Sequence, residues 1–320
     1  MKRSSLVAYA VVCTVWGSTY LAIRIALEGF PPFFLGAVRF LAAGAILFAF
    51  ARFRRIAAPR PVEWASGFAT GVLFFVVGNG LVNVAEQSVS SGLASVLVAT
   101  MPLWVTVYAR LFGGRTSARE IGGVLLGLAG VVVLNLGGEL RASPGGAAAA
   151  LLAPMGWALG SVASQRLPLA RGAMRTASQM LGGGAAMALV SIAMHEHAPT
   201  VLTTRAVVAV AYLTVFGSLV GFSAYSHLLA TTRPAVATSY AYVNPVVAVL
   251  LGTFLAGEHL SLTSAAGAAV VLTAVVLVLA ARARRPGQSR ERASSSRSDD
   301  TSPSGASVKS STTPDSPTTT

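Results

Sequence analysis

Ten apolar stretches run through this chain of 320 residues, and the connections between them alternate in character: every second one carries arginines, and the others carry almost none. Grouped with the termini, Lys2, Arg3, Arg52, Arg54, Arg55, Arg60, Arg110, Arg115, Arg119, Arg166, Arg171, Arg175, Arg233 and seven residues from Arg282 onward make up 20 of the 24 Lys and Arg side chains. Only Arg24, Arg39, Arg141 and Arg205 fall elsewhere. Lys/Arg bias between loops decides which side of a bilayer a loop stays on. The pattern therefore predicts a multi-pass protein of the cytoplasmic (inner) membrane that crosses ten times, with both termini cytoplasmic.

Composition points the same way. Charged residues are 11% of the chain and hydrophobic ones 54%, with a mean hydropathy of +0.67, whereas soluble domains carry about 25% charged residues. A net charge of +13 raises nucleic-acid binding, but that needs a clustered basic face, and here the cations are spread over short loops. No nucleic-acid partner is expected. With Cys13 the only cysteine, an intramolecular disulfide or a Cys-rich metal site is excluded.

A spanning helix needs about 20 mainly apolar residues. The spans read at 6–26, 33–51, 64–84, 92–111, 121–136, 147–169, 177–194, 206–227, 235–255 and 264–281. The first, after Lys2 and Arg3, lacks a polar cleavage region and reads as a retained helix rather than a signal peptide. The last 35 residues hold 21 Ser, Thr or Pro and cannot bury enough surface to offset chain entropy, so a disordered cytoplasmic tail is expected.

Ten spans divide into two fives, and an odd number per half inverts the second half. Each half carries a landmark: Trp16-Gly17-Ser18 against Trp157-Ala158-Leu159-Gly160-Ser161, and Pro102 against Pro245. At a constant offset of 143, the segments 78–114 and 221–257 share only Gly78/Gly221, Ala94/Ala237, Pro102/Pro245 and Gly114/Gly257. The repeat therefore rests on hydropathy and charge. Inverted repeats of this type mark secondary transporters, with a substrate site near the midplane.

The strings WGSTYLAIRIALEGFPPFFLGAVRFLAAG (16–44), VGNGLVNVAEQSVSSGLASVLVATMPLW (77–104) and PAVATSYAYVNPVVAVLLGTFLAGEHLS (234–261) resemble the EamA family of the drug/metabolite transporter superfamily, in its YedA-like branch. The resemblance spans about residues 6–282. It implies an all-α integral membrane fold of ten transmembrane helices as two inverted five-helix repeats, and efflux of small metabolites or drugs by alternating access. The resulting organisation is an N-terminus at 1–5, repeat 1 at 6–137, repeat 2 at 145–282 and the tail at 283–320. The family's acidic residue after the fourth helix of a repeat is matched by Glu258, while Arg115 stands in the first half.

Ionisable groups inside a membrane are costly and are functional candidates by default. Arg39 falls in the third turn of the second span; it either snorkels to the outer interface or anchors an anion or a carboxylate partner, and the resemblance implies an Arg-Phe pair at this place. Glu86, beside Asn79 and Asn83, is a candidate proton-binding carboxylate, and His227 is a second proton-coupling candidate. Gly78-Asn79-Gly80 interrupts a span near its middle, and buried Asn supplies both a donor and an acceptor. Pro102 and Pro245 each remove a backbone bond inside a span and are expected to kink it. The expected substrate-binding set is Trp16, Tyr20, Arg39, Asn79, Asn83, Trp104, Trp157, Ser161, Tyr240 and Asn244. His195-Glu196-His197 mimics a metal motif but lacks a third partner nearby, so no metal and no cofactor are expected.

The function read from these features is a secondary transporter exporting a small metabolite or drug-like molecule by alternating access. The sequence has no GxxxxGK[ST] phosphate loop for direct ATP drive, and Glu86 together with that absence motivates proton coupling as the expectation. Its partners are the substrate, the bilayer and protons, and it acts as a monomer or homodimer. The competing readings are a membrane-embedded transferase and a facilitative channel. The enzyme reading lacks a membrane Asp, paired acids or an HExxH site.

Overall fold

The computed structural model describes residues 3–89, 97–113, 118–134, 143–198, 202–244, 246–247 and 262–280. These residues form helices and their connections, with no strand among them. An unpaired backbone N–H or C=O is expensive in hydrocarbon, and a helix satisfies its own groups along the segment that crosses. In chain order the helices are α1 (Arg3–Leu27), α2 (Pro32–Phe53), α3 (Pro61–Glu86), α4 (Met101–Leu111), α5 (Ala118–Leu134), α6 (Pro144–Ala163), α7 (Ala173–Ala193), α8 (Thr204–Thr231), α9 (Pro234–Thr238) and α10 (Leu262–Ala280). Among the described residues six of them, α1, α2, α3, α6, α7 and α8, are long and apolar enough to cross a membrane. Parts of the fourth and ninth predicted spans lie outside the described residues, as do Arg115, Arg141, Pro245, Glu258 and the tail.

Local chemistry sets the helix starts. Pro32, Pro61, Pro144 and Pro234 sit in first turns, where a missing N–H costs nothing. Ser143 accepts the Gly146 N–H at 3.0 Å, and Thr203 accepts that of Ala206 at 3.2 Å. These are side-chain caps worth about 1 kcal/mol each. The start of α2 is capped from a distance. Glu196, in the turn after α7, accepts the N–H of Phe33 at 3.2 Å and of Phe34 at 2.7 Å, placing a carboxylate on the positive end of a helix. His195 takes a φ of 56° to make that turn.

Packing brings the helices together through small residues. A Cβ at Gly184 of α7 would lie 2.9 Å from the Leu41 backbone nitrogen of α2, so the two backbones meet directly. The opposite faces remain apolar and open: Leu21, Phe50, Phe53, Leu189 and Ile192 are each more than half exposed, as lipid-facing side chains are. The core between the helices is dominated by rings, among them Trp16, Phe74, Phe75, Trp157, Phe222, Tyr225 and Tyr240.

Two helices are irregular in the same way. α3 is π-helical over Val72–Gly80 and α8 over Leu213–Phe222. The wider turns rotate the following side chains relative to a regular helix, and such stretches recur at functional sites.

Candidate functional site

A cavity with about 640 Å³ of unfilled space, its open mouth included, lies among α1, α2, α3, α6 and α8, where both π-helical stretches end. Its walls include Trp16, Thr19, Tyr20 and Ile23 from α1, Arg39 and Phe40 from α2, Phe75, Gly78, Asn79 and Val82 from α3, and Trp157 from α6. Gly217 and Phe222 of α8, Met101 of α4, and Tyr240 and Asn244 after α9 complete it.

Two tryptophans form its centre. The rings of Trp16 and Trp157 meet edge to face with centroids 5.3 Å apart, an arrangement that places a ring's positive edge on the other's negative face. Each rests on a glycine of a π-helical stretch. A Cβ at Gly78 would lie 2.6 Å from Trp157 Cε3, and one at Gly221 would collide with Trp16 Nε1. The Trp16 indole N–H donates to the Gly217 carbonyl at 2.9 Å. Tyr240 packs on Trp16 with centroids 4.8 Å apart, and its hydroxyl reaches Met101 Sδ at 3.7 Å.

Arg39 brings charge to this apolar box. Its residue is 4% exposed, so it does not snorkel. Nε donates to Ser218 Oγ at 2.7 Å, and the guanidinium carbon lies 4.7 Å from the Phe40 ring centroid. Ser218 Oγ in turn donates to the Leu213 carbonyl five residues back at 3.2 Å, a bond that the π-helical turn makes available. Asn244 is buried and its Oδ1 has no hydrogen-bond partner.

The cavity brings together Trp16, Tyr20, Arg39, Asn79, Trp157, Tyr240 and Asn244 of the expected set. Three others stand behind or beside it. Asn83 donates through Nδ2 to the Pro32 carbonyl at 2.9 Å and ties α3 to α2. Ser161 is fully buried, bonding the Trp157 carbonyl at 2.7 Å and the Tyr225 hydroxyl at 2.6 Å. Trp104 is half-buried against Tyr108. Pro102 lies in the first turn of α4, after a turn at residues 99–100. His227 is exposed on α8.

Glu86 ends α3 with its side chain fully buried, and Oε2 is 3.8 Å from Arg24 Nη2. Neither carboxylate oxygen accepts a hydrogen bond. It does not line the cavity. Sequence reasoning missed Thr19, Phe75, Met101, Gly217 and Phe222. The Gly78/Gly221 match was the signal for the last two, which lie within a turn of Gly221.

The sequence profile of the EamA-like transporter family matches twice, over residues 3–136 and 144–280. The chain belongs to the EamA-like transporter family. The uncharacterized inner membrane transporter YedA of Escherichia coli strain K12 is 44% identical over 262 residues, covering 82% of this chain and 86% of that protein. The uncharacterized transporter YdfC of Bacillus subtilis strain 168 is 25% identical over 272 residues, covering 84% of this chain and 89% of YdfC. A crystal structure with 25% sequence identity superposes with a TM-score of 0.71 over 89% of this chain and all of the other. The two π-helical stretches fall at the same distance into the two EamA-like matches. Within this EamA-like protein, the tryptophan of each matched segment therefore rests on the glycine of the other.

Proposed function

We propose that this protein is a secondary transporter that exports a small metabolite or drug-like molecule by alternating access. The transporting unit is ten helices in two inverted five-helix halves, residues 6–137 and 145–282, with both termini cytoplasmic. The observation that carries the reading is the reciprocal seating of Trp16 on Gly221 and Trp157 on Gly78 around one cavity. Two equivalent halves that exchange equivalent contacts can rock against each other while the site between them stays in place.

Coupling to protons is supported by Glu86, a fully buried carboxylate with no hydrogen bond and only a distant cation.

The test is reconstitution of the purified protein in vesicles with a panel of labelled metabolites. The reading expects saturable flux, no ionic conductance, and accumulation in inverted vesicles that collapses with the pH gradient. Conductance without saturation would replace the carrier with a channel, and chemical turnover of a substrate would replace it with an enzyme.

A further inference from the structure

The substrate class follows from what surrounds Arg39, given the reading of the cavity as the transport site. Arg39 is the only charged side chain lining the cavity among the described residues, and no carboxylate there lies within ion-pair distance of it. A buried cation without a counter-charge is expensive, and more so at membrane depth. The described residues around it hold it in place and leave it unneutralised. Ser218 takes Nε, Phe40 offers a ring face, and a Cβ at Gly217 would lie 2.6 Å from Nη2, so this nitrogen occupies the notch that glycine leaves. The bond to Ser218 is the only side-chain hydrogen bond of Arg39 among the described residues. The terminal nitrogens thus remain available to a ligand in the cavity.

A fixed guanidinium with free terminal nitrogens matches a carboxylate, whose two oxygens accept two parallel N–H bonds. The adjoining wall is apolar and aromatic, with the rings of Trp16 and Trp157 at right angles and Tyr240 against Trp16, so an aromatic ring can meet it edge to face. We infer that the ligand of this cavity, and on the proposed reading the transported molecule, is an organic anion in which a carboxylate is joined to a flat apolar ring. The carboxylate pairs with Arg39 and the ring lies among the tryptophans. A cationic molecule of the same shape is rejected, since it would face the guanidinium with no acid among the described lining residues.

Three probes with one ring separate the charge states: phenylacetate, phenylacetamide and phenethylamine. Binding to the purified full-length protein is read by tryptophan fluorescence and by the shift in melting temperature. Phenylacetate is expected to saturate both signals, with the amide weaker by about tenfold or more, the worth of a charge-assisted hydrogen bond, and the amine inactive. R39Q lowers acid binding to the level of the amide. R39K, which keeps the charge but not the fork, retains the preference for acid at reduced affinity and serves if R39Q does not fold. Equal binding of acid and amide, preference for the amine, no saturable response to phenylacetate, or an acid preference that survives in R39Q overturns the inference. Acid-selective binding without flux in vesicles refutes the transport reading and leaves this one standing. Flux of neutral or cationic compounds without acid preference does the reverse.

Discussion

Trp16 and Trp157, 141 positions apart in sequence, cross at 90° with ring centroids 5.3 Å apart, and each sits on a glycine of the other matched segment. Their contact joins the two family-matched segments at the point where the cavity is formed. On the proposed alternating-access reading, movement of either half would alter the walls of the site.

Replacing Trp157 with Ala removes contacts to Trp16, Phe74, Phe222 and Tyr225. A buried ring truncated in this way costs about 3 kcal/mol or more. Thermal unfolding in detergent should fall by several degrees, and flux should be lost. A Trp157→Phe variant that melts near wild type but transports poorly would separate packing from function.

Adding bulk to either glycine tests the reciprocal seating. Gly221→Val is expected to push the Trp16 ring off α8 and break its bond to the Gly217 carbonyl. Gly78→Val should do the same to Trp157. Both variants should still insert in the membrane while flux falls by about tenfold or more, as binding-site displacements of an ångström do. Normal flux in both would remove the seating from the mechanism.

Glu86→Gln keeps the size of the side chain and removes its titration. Under the proton-coupled reading, the variant exchanges substrate across the membrane but no longer accumulates it against a gradient. Accumulation that still responds to an imposed pH gradient in Glu86→Gln vesicles assigns coupling elsewhere.

Glu196→Gln is a stability prediction. It takes the charge away from the first turn of α2, where Phe33 and Phe34 donate to it, at a cost of roughly 1 kcal/mol. The melting temperature should fall modestly, while ligand affinity should be unchanged, because Glu196 is not among the residues lining the cavity. A change in affinity with no change in melting would contradict the capping role.

Tyr225→Phe gives a contrasting case. It removes the hydroxyl bonded to Ser161 but keeps the ring beneath Trp16. Losing one buried hydrogen bond costs about 1 kcal/mol. Stability should drop without a change in the apparent KM for transport, as measured by initial rates in vesicles.

Much of the candidate site was legible because membranes make polar side chains conspicuous. Arg39, Asn79 and Asn244 stand out in apolar runs, and Trp16 and Trp157 stand out by their matching places. The structure places all five in the cavity lining. Asn83 and Ser161 carried the same signal yet serve helix contacts behind the wall. Position along a span gives depth, but the face a side chain presents depends on local twist. In α3 and α8 that twist departs from regular α-helix over Val72–Gly80 and Leu213–Phe222, which no periodicity in this glycine-rich sequence announces.

His195-Glu196-His197 makes the same point from outside the cavity. As a string it suggests metal chemistry, and in the fold its carboxylate closes the start of α2.

Composition and the spacing of arginines by themselves determined that this chain is helical and membrane-embedded, because lipid permits few backbone solutions and loop charge is read independently of packing. The tertiary structure alone decided which side chains converge. Arg39 meets Ser218 across 179 positions and Trp16 meets Gly217 across 201. Such long-range pairings arise from how helices pack and where they widen, and a charge or hydropathy pattern along the chain carries no record of either.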